Sequence, residues 1–245
     1  RGDRSGSHGM DEVIKYLREA HRNKLGGLNH LGTSFLNLMY PDSIWIDSLM
    51  MYAALCVRYG TCMYDSALKE FGLGQIEVFS RALQDKSSGM FRHAYLTKFD
   101  YAVPVSETYW LRGNSWLLAS IADMLDYVDL RSEDAKKLIE VFKTCADALI
   151  SCQMQSGLWD SVANMPGYTY PETSGSALVA ASLMKGVVRG WLEDSYLGPA
   201  KRAFYAVTSR ISLGDKTEMH SISDATNATP RLVYSFVAEK VNKHY

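Results

Sequence analysis

In the stretch TYWLRGNSWLLASIADMLDYV, Thr108 to Val128, an arginine lies between two tryptophans: Trp110, Arg112 and Trp116. Gly113 and Asn114 interrupt the pattern beside them, while Leu117, Ile121, Met124, Leu125 and Val128 recur at helical spacing beyond. A cation framed by indoles at the mouth of a helix suits a flat, anionic ligand. A uronic acid is one such ligand, its ring stacking and its carboxylate pairing with guanidinium. The plainer use of the same residues stays open: tryptophans commonly fill cores, and an arginine can cap carbonyl groups.

Asp47 is the next candidate, in YPDSIWIDSLMMYAALCVRYG. The spacing places it inside the apolar face of a helix, between Trp45, Ile46 and Leu49. A carboxylate there is costly unless paired, so it is either functional or hydrogen-bonded for structure. Asp42 reads as a helix-start residue, and Met50, Met51 and Leu55 read as core. His93, in FRHAYLTKFD, lies on a connector among aromatic residues; His30, in GGLNHLG, follows two glycines that permit close approach. Lone histidines in such places are as readily solvated or structural. No two histidines have metal-ligand spacing, so neither metal nor cofactor is expected. Trp159 in GLWDSV and Glu172 beside a helix start in YTYPETSGSA complete the polar-aromatic set.

Helices must position these groups. The periodicity predicts them near 11–24, 43–59, 62–84, 114–128, 132–153, 173–192, 195–212 and 230–243. Ser132 is an expected N-cap, with Glu133 and Asp134 in the first turn where the macrodipole favours anions. Thr173 or Ser174 is expected to cap the helix after Pro171. Three longer connectors, 86–113, 154–172 and 213–229, hold most of the Gly, Ser, Asn, Tyr and Trp between helices, and GMFRHAYLT reads as a short hairpin strand. Long amphipathic helices alternating with such connectors imply stacked helical hairpins, hence an all-α fold. No fixed repeat period is visible, which argues against TPR, ankyrin or HEAT arrays.

Bulk composition narrows the function. Of 245 residues, 47% are hydrophobic and 22% charged, which fits one globular domain with a substantial core. The segment RGDRSGSHGM opens the chain; residues 1–9 read as an expression scar and 10–245 as a single domain. A formal net charge of -1 without a Lys/Arg cluster argues against nucleic acid as a partner. No apolar run approaches the roughly 20 residues that span a bilayer, and no apolar segment marks a signal peptide. Cys145 and Cys152, seven apart on one expected helix, would stand roughly 10.5 Å apart along its axis, too far for a mutual disulfide. With Cys56 and Cys62 they read as reduced thiols of a cytoplasmic protein.

Taken in order, GGLNH, WIDSLMM, WLRGNSW and GLWDSVANMPGYTYPETSGSALVAASLMKGVVRG resemble the unsaturated glucuronyl and rhamnogalacturonyl hydrolases of glycoside hydrolase families 105 and 88. The similarity runs from about Val13 to Trp191, and the signature Glu172, Ser174, Ser176, Ala177 is among its more specific parts. Ser48 and Ser115 stand where glycine is common in the family. The resemblance implies an (α/α)6 toroid of six helical hairpins. It also implies that Asp47 is the catalytic acid/base, that His93, Trp110, Arg112 and Trp116 belong to the sugar site, and that His30 and Trp45 lie near the same pocket. The expected substrate is an oligosaccharide ending in a 4,5-unsaturated uronic acid, removed by vinyl-ether hydration. The family toroid uses twelve helices, and this chain supplies eight or nine. The first hairpins and a second important aspartate are therefore expected to be missing, with self-association or a companion chain completing the arc. A non-catalytic or degenerate carbohydrate-binding relative is the alternative function.

Overall fold

The computed structural model describes residues 5–32, 41–213 and 217–222. Among them are seven α-helices: α1 Ser5–Glu19, α2 Ala54–Cys62, α3 Ser66–Leu83, α4 Leu111–Met124, α5 Glu133–Ser151, α6 Thr173–Val188 and α7 Leu197–Thr208. Strands β1 Ser43–Trp45, β2 Ala94–Leu96 and β3 Tyr101–Val103 form an antiparallel sheet in the order β1-β2-β3. A small hairpin pairs β4 Ile211–Leu213 with β5 Thr217–Met219. The predicted helix 230–243 lies outside the described residues.

The helices pack as an inner and an outer row. α2, α4 and α6 are the inner members: α4 lies along α6 and touches α2, while α2 backs onto α3 and α6 onto α7. α4 shows why its row is internal. Leu111, Leu117, Leu118, Ile121 and Met124 are buried along one side, and Gly113, Ser115, Ser120 and Ala122 are buried on either side of that stripe, as expected of a helix enclosed by others. α5, by contrast, buries Ala135, Leu138, Phe142, Cys145 and Leu149 along one stripe and turns its charges outward. The expected stacking of helical hairpins holds.

Local chemistry sets the ends. Asp65 accepts from the Leu68 amide at 3.0 Å to start α3. Ser132 accepts from the Ala135 amide at 3.1 Å to start α5, as its sequence pattern predicts. α6 departs from expectation: Glu172, rather than Thr173 or Ser174, is its cap. The Glu172 carboxylate accepts from the Gly175 amide at 2.5 Å and from the Ser174 amide and hydroxyl at 3.3 and 2.7 Å. Predicted helix 62–84 is broken at Tyr64, whose positive φ of 59° ends α2.

The largest correction falls at 43–59. Ser43–Trp45 is a strand, not helix, and Asp42 leads into it with its carbonyl accepting from the Thr97 amide at 2.9 Å. Asp47 sits in the turn that follows, ahead of a π-helical turn, Leu49–Ala53, that runs on into α2. Ile44 and Ile46 are fully buried, so the run reads as apolar at either period, and pairing with β2 decides the matter. The connector strand expected in GMFRHAYLT is that partner.

Glycine makes the α2–α3 contact possible. A methyl group at Gly72 would lie 2.6 Å from the Ala53 carbonyl oxygen and 2.8 Å from Val57, whereas nothing comes within 4 Å of one at Gly74. Helix propensity alone favours alanine at both by about 0.5–1 kcal/mol. Overpacking against backbone costs about 1–3 kcal/mol and wins at Gly72. Chemical denaturation should therefore show Gly72→Ala destabilised and Gly74→Ala neutral or stabilised. The same sign for both would contradict the close approach.

Candidate active site

Four segments distant in sequence meet at Asp47. The loop carrying His30 is fastened to β1: the His30 amide donates to the Ser43 carbonyl at 2.8 Å, and the Ser43 amide donates to Asn29 Oδ1 at 3.0 Å. β1 delivers Trp45, and its pairing continues past the strand, with the Ile46 amide donating to the His93 carbonyl at 2.9 Å. Trp110 lies just ahead of α4 in extended conformation, paired with Val162 of the connector before α6. Arg112 occupies the first turn of α4, and Trp116 the next.

The rings form a column. His30 stacks on Trp45 with centroids 4.3 Å apart and planes 5° from parallel. His93 meets Trp45 edge-on at 5.3 Å and stacks on Trp110 at 4.4 Å. The Arg112 guanidinium carbon stands 5.2 Å from the Trp110 ring centre, a cation–π distance. Five of the seven candidate residues are thus joined by ring contacts, and a sixth, Asp47, follows Trp45 by two positions. Trp116 is half-buried one turn beyond Arg112 on the same side of α4. No ring contact joins it to the column among the described residues.

Gly113 was expected to break the helix, yet it lies inside it. A Cβ there would come 2.6 Å from Ile46 and 2.7 Å from the Trp110 ring, so only glycine lets the indole fold back over the first turn. The side chain of Asn114 is fully enclosed. It accepts from the Phe91 amide at 2.8 Å and donates to the Phe91 and Trp110 carbonyls at 2.9 and 3.0 Å. One amide therefore ties the segment before His93 to the residue that His93 stacks on.

Electrostatics single out Asp47. It is 8% exposed, and its Oδ1 is enclosed without a hydrogen-bond partner among the described residues. Burial pushes its pKa up, opposed by His30, by its own backbone amide and by Arg112. Burial pushes His30 down, opposed by Asp47. Both shifts run toward the neutral forms, so burial makes the Asp47 carboxyl keep its proton more readily than an exposed one. The ring of His30 is oriented from behind, with Nδ1 2.9 Å from the Ser48 hydroxyl. Ser43 does the same for Trp45, accepting from its indole N–H at 3.0 Å.

Sequence reasoning missed these two serines, Asn114 and also Asp160. Asp160 is buried, accepts from the Gly167 and Thr169 amides at 2.7 and 3.3 Å, and so shapes the loop whose Val162 and Met165 pack on Trp110. Polar types at apolar-run edges are the available signal, but Ser48 and Asn114 find partners 18 and 23 positions away. Glu172 is buried as the cap of α6, a structural use of the signature acid. Cys56, Cys62, Cys145 and Cys152 are free thiols. Among the described residues no cluster of His, Cys, Asp or Glu could hold a metal ion, and no helix is long and apolar enough to cross a membrane. A cavity of about 680 Å³ lies elsewhere, between α3 and α5. Charged residues of both signs, Glu70, Glu77, Lys86 and Lys137, line it without an aromatic platform.

The pKa of Asp47 gives a stability test. A folded-state value above the unfolded one contributes stability that is full below about pH 3.9 and lost as pH rises through the folded value. Asp47→Asn lacks that loss. Its stability relative to wild type should increase between about pH 4 and neutrality, read by urea unfolding at each pH. A constant difference would show that the carboxyl ionises alike in both states.

The chain is similar to several known proteins. An unsaturated rhamnogalacturonyl hydrolase, YesR, from Bacillus subtilis is 29% identical over 174 residues, 71% of this chain and 49% of that protein. An unsaturated 3S-rhamnoglycuronyl hydrolase from an Alteromonas species is 26% identical over 154 residues, covering 61% and 37%. The chain thus spans about half or less of these relatives. A crystal structure described as a possible member of the GH105 family, from Salmonella enterica, superposes with a TM-score of 0.85 at 24% identity over 95% of this chain and 61% of that one. This shares the helical toroid fold. The model of Glycosyl Hydrolase Family 88 matches residues 2–245, and the chain belongs to that family.

Proposed function

We propose that this chain carries the site of an unsaturated uronyl hydrolase, with Asp47 as its acid/base. The observation that carries the reading is an enclosed carboxyl, its pKa raised by burial and its Oδ1 without a hydrogen-bond partner among the described residues, beside a column of rings that ends in a guanidinium. The names of the relatives, an unsaturated rhamnogalacturonyl hydrolase and an unsaturated 3S-rhamnoglycuronyl hydrolase, support an unsaturated uronyl substrate, and the substrate proposed is an oligosaccharide whose terminal sugar is a 4,5-unsaturated uronic acid.

In this chemistry the C4=C5 bond is a vinyl ether. Asp47 donates its proton to C4, and the electron pair of the double bond forms the new C4–H bond. Positive charge develops at C5, shared with the ring oxygen. Water adds at C5 and gives its proton to the Asp47 carboxylate, which restores the acid. The hydrated sugar is a hemiketal; it opens, and the neighbouring sugar leaves. One carboxyl suffices, unlike the paired carboxylates of ordinary glycosidases. Trp45 and Trp110, 7% and 3% exposed, serve as the buried backing of the sugar site, and Arg112 offers the two-point donor for the uronate carboxylate.

Asp47→Asn should lower turnover of an unsaturated uronyl disaccharide by about a hundredfold or more while binding persists, since general acid–base steps contribute about 10²–10⁴. Loss of the enuronate's ultraviolet absorbance reads the reaction directly. Near-normal turnover would remove Asp47 from the role. Wild type that binds the sugar without consuming it would support the degenerate carbohydrate-binding alternative.

Arg112 is tested by charge. A charge-assisted pair contributes roughly 1.5–3 kcal/mol, so Arg112→Ala should weaken uronate binding by about one to two orders of magnitude. The carboxyl-reduced disaccharide should lose little. Equal losses for both ligands would show that Arg112 serves the fold instead.

A further inference from the structure

Behind the ring column lies a second set of contacts that the proposed chemistry does not use. Asp85, just past the end of α3, has both carboxylate oxygens engaged. Oδ1 accepts from the Ser87 amide and hydroxyl at 2.9 and 2.6 Å and from the Ser88 amide at 3.4 Å, which fixes the turn. Oδ2 accepts from Arg92 at 3.1 Å and from the Tyr109 hydroxyl at 2.8 Å. The Arg92 guanidinium reaches on to the carbonyls of Pro104, Val105 and Ser106 at 2.8, 2.6 and 2.7 Å.

Arg92 and Tyr109 are the residues immediately before His93 and Trp110. In extended chain, neighbouring side chains point to opposite sides. Besides the Asn114 tie, the two segments are therefore joined from both sides: on one His93 stacks on Trp110, and on the other Arg92 and Tyr109 share one carboxylate. Stacking alone is worth about 0.5–1.5 kcal/mol and tolerates sliding of one ring over the other. Hydrogen bonds to a charged acceptor are directional and stronger. Arg92 and Asp85 are also only 18% and 12% exposed, so solvent screens the pair weakly.

We propose that Asp85 is a positioning residue for the His93–Trp110 stack: by gripping Arg92 and Tyr109 together it sets how far the two ring-bearing segments stand apart. Its effect on sugar binding rests on the uronyl hydrolase reading given above; its effect on the rings does not. Asp85 touches no reacting atom and acts through its two partners.

The test uses the whole chain with Asp85→Asn, with Tyr109→Phe, which deletes a single hydroxyl, and with Asp126→Asn as control. Asp126 also joins two basic side chains, Lys185 at 2.6 Å and Arg189 at 3.3 Å, away from the rings. In the ligand-free protein the His93 ring protons should be shifted upfield in the NMR spectrum by the Trp110 indole. Both Asp85→Asn and Tyr109→Phe should reduce that shift, and Asp126→Asn should leave it in place. With an unsaturated uronyl disaccharide, the first two should raise the dissociation constant about tenfold, within the hundredfold that a 1 Å misplacement costs. An unchanged His93 shift in both variants, or an equal change in the control, would overturn the proposal. Should wild type fail to bind the disaccharide, the hydrolase reading falls, and the His93 shift still decides the role of Asp85.

Discussion

Enclosing the Asp47 carboxyl with Oδ1 unpartnered costs about 1–3 kcal/mol, and the structure near it is arranged so that this cost is met without supplying the missing partner. A salt bridge would be the simple remedy, but it would hold Asp47 as an anion and remove its proton. Instead, burial raises the carboxyl's pKa and lowers that of His30, so that neither needs to be charged. Arg112 bears on Asp47 more weakly than burial does. The turn is kept in place by its flanks: β1 is stitched to β2, and Leu49 and Ala53 anchor the π-helical turn in the core. Rigidity on both sides substitutes for a direct bond to the acid.

That requirement explains why a strand appears in a helical protein. A helix at 43–59 would have placed Trp45 and Asp47 about 200° apart around its axis, since each residue turns by about 100°. In the strand and turn that form instead, Trp45 keeps its indole N–H on Ser43 while its faces meet His30 and His93. The sequence run SIWID carried the residue types but not the period. Ile44 and Ile46 satisfy a buried strand, and with Leu49 they also satisfy a helix, so the choice is made by β2 more than forty residues away.

Other parts were legible because their causes are local. The inner and outer helix rows follow from periodicity, and Ser132 with Glu133 and Asp134 announces α5 directly. The group Trp110–Arg112–Trp116 could be recognised by type, though Gly113 was misjudged as a breaker because its constraint is the Trp110 ring and Ile46, not its own backbone. Glu172 shows the converse. It stands out in sequence as a chemical group, and its carboxylate is engaged by the α6 amides that it caps. What sequence could not disclose were Asn114, Asp85 and Ser48, polar residues whose meaning lies in partners 7 to 24 positions away or across the sheet.

These missed residues share a task. Asn114 bonds backbone to backbone, Asp85 bonds the side chains behind the rings, and Asp160 shapes the loop that covers Trp110. All three converge on the segments 91–93 and 109–110, which lie near opposite ends of the connector between α3 and α4 and, among the described residues, form no bridge with each other. Aromatic rings give large contact area but little directional preference, so a flat stack between two ends of one connector would slide. Directional hydrogen bonds from fixed elements remove that freedom: Asn114 stands on α4 and Asp85 at the end of α3. A site built on a connector thereby takes its geometry from the helices beneath it.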